Sequence, residues 1–308
     1  MKFITNSNDL SKYLDTPIKK NIQIKDISID SRTIKKDSLF IAINGDNFNG
    51  NDYVDEAIHK GACLVITDSK KYKTSKNKNI IYVNNSISAL KKITSNILKS
   101  FDGNVVGITG SNGKTTTTKI IANVLSKSSS TLKNYNNEIG MPLSIFNAKQ
   151  NSKNLVIEMG AAKPGDIKYL SSILKPNIGV ITNIGNSHLE KLKNIKGVLK
   201  VKSELVSNIK NGGYLVVPNE NKEHLKFWEK IIRGKELITF GTEKNADFYA
   251  INIKSSIKKQ EFNIISDKYN IDHKIKTSLS GVHNIKNILA AFAVSYLIEN
   301  SPKLFNQR

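Results

Sequence analysis

The sequence has very little of several residue types that define other protein classes. It contains one cysteine, Cys63, so no disulfide can form within the chain, which suits a reducing compartment. The N-terminus has no apolar leader segment, and no stretch approaches the roughly 20 apolar residues of a membrane span. We therefore expect a cytosolic protein without membrane insertion.

Arginine is also scarce. Only Arg32, Arg233 and Arg308 are present, so nearly all of the positive charge behind the net charge of +21 is lysine. Sequence readout in DNA relies heavily on arginine, and no basic helix with base-reading spacing is present, so we expect no nucleic-acid partner. The excess of lysine, asparagine and isoleucine resembles a codon bias acting on surface positions. Nucleic-acid binding driven by charge alone is the last-ranked alternative, and it would show a steep salt dependence.

The length of 308 residues suggests about two domains. In residues 1–101 the pattern predicts short strands at 22–29, 38–43, 63–67 and 80–83, with helices at 51–60 and 86–100. In residues 102–308 it predicts strands at 105–109, 154–158, 178–182 and 214–217, helices at 114–126, 167–174 and 198–210, an antiparallel stretch at 250–277 and a last helix at 284–299. The strand–helix alternation predicts an α/β fold with a doubly wound, mostly parallel sheet that binds ligands at the carboxyl ends of its strands.

The most informative segment is the turn after the predicted strand at 105–109. The chain reads Thr109-Gly110-Ser111-Asn112-Gly113-Lys114-Thr115-Thr116, and a helical pattern follows. Glycines let backbone N–H groups surround a phosphate, the lysine can reach terminal phosphates, and a threonine hydroxyl can bind Mg²⁺. The strict Walker spacing requires glycine at Ile108, so a glycine-rich turn that binds nothing is the alternative. We favour an ATP or GTP site.

Polar residues also follow the other predicted strands. Glu158 comes directly after one strand and could hold Mg²⁺ beside the phosphates, although a lone glutamate there is usually solvent-exposed. His188 follows the next strand, where the ordinary interpretation is a packed or surface histidine. Lys202 lies in a helical pattern, where a solvated lysine is the default.

Further segments with candidate binding residues each have an ordinary structural explanation. Residues 134–143 combine amide side chains with a glycine and a proline, which is typical of a loop and also suits polar ligand recognition. Asn284 starts the last helix, and N-capping alone would explain it. Arg32 follows a strand near the N-terminus, where an arginine could pair with a diphosphate.

Together these residues resemble the Mur ligase family, ATP-dependent amide-bond ligases of peptidoglycan synthesis. The family's own phosphate-loop spacing accounts for the missing Walker glycine, and the other matching segments occur in the family's order. They are 28–32, 45–50, 136–143, 158–161, 164–167, 183–185, 188–190, 202–204, 283–284, Asn287 and 290–291.

The resemblance implies ATP and Mg²⁺ as cofactors, and UDP-N-acetylmuramoyl-tripeptide and D-alanyl-D-alanine as substrates that are joined through an acyl phosphate. The catalytic residues that it implies are Lys114, Glu158, His188 and Lys202. The metal site that it implies consists of Thr115, Glu158, His188 and Lys202, the last of them carbamylated. It assigns nucleotide binding to Thr109, Gly110, Ser111, Asn112, Gly113, Lys114, Thr115, Thr116, His283, Asn284 and Asn287. It assigns substrate binding to Ser31, Arg32, Asn47, Phe48, Asn136, Asn137 and Glu138.

Members of this family carry a third, C-terminal domain, whereas the chain ends at Arg308. We therefore expect a UDP-sugar-binding domain at 1–101, a central ATP-binding domain at 102–308 and no C-terminal domain in this chain. We accordingly predict that this chain by itself is a monomer that binds its ligands but ligates poorly. The alternatives are a sibling or folylpolyglutamate-type ligase, and an inactive nucleotide-binding scaffold.

Overall fold

The computed structural model describes residues 3–18, 20–45, 48–187, 189–256 and 259–300. The strands within these ranges are β1 (Asp26–Ser28), β2 (Ser38–Ile41), β3 (Ala62–Thr67), β4 (Ile80–Tyr82), β5 (Asn104–Thr109), β6 (Ser128–Ser130), β7 (Asn154–Glu158), β8 (Ile178–Ile181), β9 (Tyr214–Pro218), β10 (Glu236–Gly241), β11 (Phe248–Ser255), β12 (Gln260–Ser266) and β13 (Ile271–Thr277). The α-helices are α1 (Ser7–Leu14), α2 (Val54–His59), α3 (Ser86–Lys99), α4 (Lys114–Val124), α5 (Gly140–Phe146), α6 (Asp166–Leu174), α7 (Leu189–Leu192), α8 (Ile195–Ser203), α9 (Lys222–Ile231) and α10 (Val282–Glu299). Short 3₁₀ helices span Ser31–Thr33, Gly50–Tyr53, Lys70–Tyr72 and Glu204–Asn208.

The chain divides into two compact units. The first comprises Met1–Phe101 and Glu138–Asn151, and the second comprises Asp102–Asn137 and Ser152–Arg308. The sequence-based division placed all of 102–308 in one domain, whereas residues 138–151 pack with the first unit. The reason is α5, which contacts α3 and β1 of that unit.

The first unit contains a four-stranded parallel sheet in the order β1-β2-β3-β4. Its core combines Phe40 of β2 and Val65 of β3 with Val54 and Ala57 of α2. Nearly every residue of β2 and β3 is buried, as expected for a parallel sheet covered on both faces. Because β1 and β2 are parallel, the segments that follow them both start at the same edge of the sheet, where the carboxyl ends of the strands lie.

The second unit contains a nine-stranded sheet in the order β13-β12-β11-β10-β9-β8-β5-β7-β6. All neighbouring strands are parallel from β6 to β11, and β12 and β13 are added antiparallel. Strand β5 lies between β7 and β8, so the chain changes sides of β5 after β7. In doubly wound sheets such a switch point leaves a crevice at the carboxyl ends of the central strands.

Helices cover both faces of this sheet. Val106 and Ile108 of β5 belong to a buried cluster with Ile121 of α4 and residues of α10. Gly107, which lies between them, faces the other way, and a Cβ there would lie 3.1 Å from Leu174 of α6. Because successive side chains of a strand alternate between its faces, α4 and α10 lie on one face and α6 on the other. This confirms the predicted α/β, doubly wound fold.

The structure differs from the sequence-based elements at several places. Residues 134–143 were predicted as a loop, but α5 begins at Gly140 with Pro142 in its first turn. Proline is tolerated there because the first N–H groups of a helix have no intrahelical acceptor. Five further elements were not predicted: α1, α7, α9, β6 and β10.

The capping explanation for Asn284 is wrong. The N-cap position of α10 is Gly281, and no side chain caps this helix. Asn284 lies inside the first turn, and its Nδ2 donates to the Ser280 carbonyl oxygen at 2.7 Å. In the described part of the chain, no helix is long and apolar enough to cross a membrane.

Candidate functional site

The loop between β5 and α4 has the geometry of an anion-binding turn. Gly110 and Gly113 adopt φ angles of 147° and 78°, values that favour glycine. A Cβ on Gly110 would collide with the Thr182 hydroxyl, and one on Gly113 with the Asn287 amide. No side chain caps the start of α4, so the first N–H groups of this helix are available to an anion.

Lys114 lies at the start of α4, and its ammonium group bends back over this loop. Its Nζ donates to the carbonyl oxygens of Gly110 at 2.9 Å and Ser111 at 3.1 Å. Burial lowers the pKa of Lys114, and the negative charge of Glu158 opposes that change. A partly desolvated cation held by neutral carbonyl groups is well placed to exchange them for a phosphate.

The loop is tied to the segment that follows β8. The Ser111 hydroxyl donates to the Gly185 carbonyl oxygen at 2.9 Å and accepts from the Gly185 N–H at 3.0 Å. The Asn112 N–H donates to Asn183 Oδ1 at 2.9 Å, and the Thr182 hydroxyl donates to the Asn112 carbonyl oxygen at 2.5 Å. The loop therefore holds its shape through side chains and backbone of a neighbouring strand end.

Glu158 ends β7 beside the same loop, and it is buried. Only 2% of the residue is exposed, so the solvent-exposed alternative is wrong. Its Oε2 accepts from the Thr115 hydroxyl at 2.8 Å, and its Oε1 accepts from Asn136 Nδ2 at 2.8 Å. The Glu158 N–H donates to Thr131 Oγ1 at 2.7 Å. A buried carboxylate next to a threonine hydroxyl provides the hard oxygen donors that Mg²⁺ prefers.

Lys202 lies in the last turn of α8 and is also buried, with 1% of the residue exposed. The solvated-lysine alternative is therefore wrong. Burial and, second, the positive charge of Lys114 lower the pKa of Lys202 from 10.5 to about 8, against the opposing effect of Asp166 and Glu204. A lysine with a pKa of about 8 is neutral, and so nucleophilic, in about one molecule in ten at pH 7.

The two residues that follow Lys202 are held by contacts of their side chains. The Ser203 hydroxyl accepts from Trp228 Nε1 at 2.8 Å in a buried contact. The Glu204 carboxylate accepts from the N–H groups of Gly165 at 2.8 Å and Lys168 at 2.9 Å at the start of α6. These contacts hold the end of α8 in place.

The start of α10 meets the start of α4. Asn287 Oδ1 accepts from the Thr117 hydroxyl at 3.3 Å, and its Nδ2 donates to Asn284 Oδ1 at 3.2 Å. His283 is exposed, Thr116 is half-buried, and Thr109 is fully buried at the end of β5. The hydroxyl of Thr109 has no hydrogen-bond partner within the described ranges.

The first unit contains a cavity of about 370 Å³ at the carboxyl ends of its strands. Its walls follow β1 and β2 and include one residue before α5. The lining residues are Ile29, Asp30, Ser31, Arg32, Phe40, Ile43, Gly45, Phe48, Gly50, Tyr53 and Ile139. Most of these side chains are apolar, as in sites that bind an organic ring.

Two exposed side chains distinguish this cavity. Arg32 is 84% exposed, and its Nη2 and Nε donate to the two carboxylate oxygens of Asp30 at 2.7 and 2.9 Å. This guanidinium lowers the pKa of the Asp30 carboxyl group. Phe48 is 74% exposed although its ring borders the cavity. Ser31 is buried nearby, and its hydroxyl lies 3.5 Å from Glu56 Oε1.

The predicted site residues thus fall into separate groups. The loop residues, Lys114, Thr115, Glu158, Asn136, Lys202, Asn284 and Asn287 belong to the second unit, and Ser31, Arg32, Phe48 and Glu138 belong to the first. Asn137 is exposed in the second unit. His188 and Asn47 lie outside the described residues.

The sequence interpretation missed the groups that hold these residues in place. Asp30 pairs with Arg32, Asn183 holds the phosphate loop, and Trp228 anchors the residue after Lys202. Trp228 is the only tryptophan of the chain, and a buried tryptophan usually has a partner for its N–H. This tendency was the signal in the sequence that could have indicated a hydrogen bond from Trp228.

Comparison with known proteins identifies the class. The Mur ligase middle domain matches residues 108–295, and the Mur ligase family catalytic domain matches residues 23–99. The chain belongs to the Mur ligase family.

Several curated relatives carry the same name. The UDP-N-acetylmuramoyl-tripeptide–D-alanyl-D-alanine ligase of Buchnera aphidicola subsp. Baizongia pistaciae is 36% identical over 90% of this chain and 60% of its own length. The crystal structure of MurF from Thermotoga maritima in complex with ADP is 28% identical with a TM-score of 0.78, covering 89% of this chain and 63% of that one. MurF from Acinetobacter baumannii has a TM-score of 0.85 at 24% identity, over 97% of this chain and 67% of that one, and thus shares the fold. The chain spans about 60% of the length of the curated relatives that it matches.

Proposed function

We propose that this chain carries the UDP-sugar-binding and ATP-binding parts of an ATP-dependent ligase that joins D-alanyl-D-alanine to UDP-N-acetylmuramoyl-tripeptide. The observation that carries the proposal is the contact of the Thr115 hydroxyl with the buried Glu158 carboxylate, near the Lys114 ammonium. A glycine turn without a ligand has no need to bury a carboxylate and a cation at its rim, because burying charge costs stability. The names of the relatives support the choice of substrates.

In this proposal the loop of residues 109–116 binds the phosphates of ATP. The N–H groups at the start of α4 and the Lys114 ammonium face the phosphate oxygens and offset their charge. Asn284 and Asn287 are proposed to contact the adenosine end, and His283 to lie beside them. A solved relative in complex with ADP supports a nucleotide as the ligand.

Two of the described residues offer oxygen donors for a magnesium ion. Thr115 and Glu158 supply hard oxygen donors in direct contact with each other, and we propose that they hold Mg²⁺ together with His188 and a carbamylated Lys202. An unmodified Lys202 ammonium could not be a ligand, but its lowered pKa leaves neutral amine to react with carbon dioxide. When bound, Mg²⁺ would supply charge neutralisation for the transferred phosphoryl group.

The cavity of the first unit is proposed to bind the UDP end of the sugar substrate. The apolar walls of the cavity suit the faces of a base, and the exposed Phe48 ring is available for stacking on it. The exposed guanidinium group of Arg32 could donate two hydrogen bonds to a diphosphate. Ser31 and Asn47 are proposed to add polar contacts, and Asn137 and Glu138 to contact the rest of the substrate.

The proposed reaction has two steps. The peptide carboxylate of the UDP-sugar attacks the γ-phosphorus of ATP, the bond to the β-phosphate oxygen breaks, and an acyl phosphate and ADP result. The amine of D-alanyl-D-alanine then attacks the acyl carbon through a tetrahedral intermediate, and inorganic phosphate leaves as the amide forms. Lys114 is proposed to offset the charge that develops in the first step.

The test measures phosphate release from ATP with UDP-N-acetylmuramoyl-tripeptide, with and without D-alanyl-D-alanine. The 308-residue chain is compared with a full-length relative assayed as a positive control, and nucleotide and UDP binding to the chain are measured by titration calorimetry. Binding of both ligands is expected, and phosphate release that needs both substrates establishes the ligase. ATP binding without UDP binding or release would instead favour the nucleotide-binding scaffold.

We further propose a cytosolic monomer with no nucleic-acid partner. The single, half-buried Cys63 is compatible with a reducing compartment. Light scattering coupled to size-exclusion chromatography measures the mass directly, and a dimer would contradict the proposal.

A further inference from the structure

We infer that Asn136 is a positioning residue that orients the Glu158 carboxylate, and that residue 160 is glycine because the Asn136 amide occupies the space of a side chain there. The inference rests on the proposed Mg²⁺–ATP site, and it gives Asn136 a role other than the predicted contact with substrate.

The hydrogen bonds of Glu158 show two donors that fix the plane of its carboxylate. Asn136 Nδ2 donates to Oε1 and the Thr115 hydroxyl donates to Oε2, each at 2.8 Å. An ionised carboxylate can only accept, so the asparagine must present its NH₂ group to it. With Oε1 held by Asn136, Oε2 is the oxygen that faces the phosphate loop.

The backbone of Asn136 is fixed as firmly as its side chain. Its carbonyl oxygen accepts from the Gly160 N–H at 2.8 Å, and its own N–H donates to the Asn134 carbonyl oxygen at 2.8 Å. The residue is therefore anchored to Gly160, two positions after the end of β7, and to Asn134 of its own loop, and it is not free to turn toward a ligand. An asparagine whose backbone and side-chain amide are both held by hydrogen bonds can keep a neighbouring carboxylate in one orientation.

Gly160 lies against the other side of the amide. A Cβ on Gly160 would lie 2.7 Å from Asn136 Oδ1 and 3.0 Å from its Cγ. Gly160 has an ordinary φ angle, since it is not among the glycines with positive φ. Glycine is therefore required here for lack of space and not for its backbone angles. The Asn136 amide, which orients Glu158, fills the space that a side chain would need.

Groups that orient a metal ligand affect metal affinity without touching the metal. Their removal typically weakens metal binding by about 10- to 100-fold. The effect should appear only in the part of nucleotide affinity that depends on Mg²⁺. Within the described ranges, the hydrogen bonds of Asn136 go to Glu158, Gly160 and Asn134, and not to the loop N–H groups or Lys114. A residue with only a structural role would change nucleotide binding with and without the ion.

The experiment measures binding of a non-hydrolysable ATP analogue to the purified chain by titration calorimetry, in Mg²⁺ and in EDTA. For Asn136→Ala we expect the gain in affinity from Mg²⁺ to fall by about 10-fold or more, with the affinity in EDTA unchanged. Asn134→Ala is the matched control, since it removes an exposed amide from the same loop and should leave both affinities unchanged. If the alanine variant does not fold, Asn136→Leu removes the donor while filling the space.

A double-mutant cycle tests the role of Gly160. Gly160→Ala should reduce the Mg²⁺-dependent gain as much as Asn136→Ala does, because it displaces the amide. In the Asn136→Ala background it should cost nothing further, so the two losses are not additive. Additive losses, or a full gain in Asn136→Ala, would overturn the positioning role while leaving the proposed function intact. A wild-type chain that gains nothing from Mg²⁺ would overturn both.

Discussion

The two units place their candidate sites at the same topological position but build them in different ways. In the second unit the loop after β5 is tied by hydrogen bonds to the end of β8, and the charged groups Glu158 and Lys202 are buried. In the first unit the segments after β1 and β2 enclose an apolar cavity, and its charged and aromatic candidates, Arg32 and Phe48, are exposed.

This difference follows from the two kinds of ligand. A polyphosphate and a metal ion need several charges and dipoles that are already oriented, and burying such groups lowers the stability of the folded chain. A base and its sugar can be held by apolar walls with a few exposed side chains. Changes in the second unit should therefore alter both stability and binding, whereas changes in the first should alter binding alone.

The largest effect is expected at Lys114. Lys114→Ala removes the cation at the rim of the loop, and the affinity for ATP should fall about 100-fold, since a charge-assisted contact to phosphate contributes about 3 kcal/mol. Lys119→Ala removes an exposed lysine of the same helix and should leave the affinity unchanged. Both are measured by titration calorimetry. Equal affinity in the two variants would contradict the phosphate role of Lys114.

Lys202 should reveal the cost of burying charge. Lys202→Met keeps the length of the side chain without its charge, and the free energy of unfolding should rise by about 2 kcal/mol at pH 7 in buffer free of carbon dioxide. Lys200→Met, at an exposed position of the same helix, should have no such effect. Denaturant unfolding measures both. Destabilisation by Lys202→Met would break the contrast between the two units.

The same variant has a defined pH dependence. The pKa of Lys202 is lowered to about 8 in the folded chain, below its ordinary value of 10.5. The unfolded chain therefore binds the proton more tightly, and the cost is fully present below about pH 8 and decreases as pH rises toward 10.5. The advantage of Lys202→Met should accordingly shrink over that range. An advantage that grows with pH would show that another group is responsible.

Arg32 is expected to have a smaller effect that is confined to binding. Arg32→Ala should lower the affinity for UDP about 10-fold through loss of a diphosphate contact, without changing the melting temperature. Lys35→Ala removes the same charge from an exposed position outside the cavity lining and serves as the control. A marked loss of stability in Arg32→Ala would mean that its pair with Asp30 supports the fold rather than the ligand.

Contiguous patterns were readable from the sequence, and distant pairings were not. The predicted strand at 154–158 coincides with β7, and the phosphate loop lies between β5 and α4 as its glycines indicated. The contact of Asn136 with Glu158 joins residues 22 positions apart, and that of Ser111 with Gly185 joins residues 74 apart. Such contacts depend on strand order, which local pattern does not specify.

The local sequence pattern also gave wrong predictions where one residue type occurs in two structural settings. Gly140 and Pro142 suggested a turn, but both lie in the first turn of α5. Lys202 appeared as one exposed lysine among many, and only the packing of α8 buries it. Arg32 pairs with Asp30, a partner two residues away that the sequence interpretation did not foresee, and its contact with a diphosphate stays a prediction.

The smallest effect is expected at Phe48, and it separates the two parts of the proposed UDP contact. Phe48→Leu keeps an apolar side chain but removes the ring, so the affinity for UDP should fall about fivefold, near the low end of what base stacking contributes. The affinity for inorganic pyrophosphate should not change, because that ligand has no base to stack. Arg32→Ala should weaken both ligands, since both carry the diphosphate. If Phe48→Leu weakens the binding of pyrophosphate as much as that of UDP, the ring shapes the loop rather than contacting the base. The exposed side chains of the first unit would then affect the structure as well as binding, as the buried charges of the second unit do.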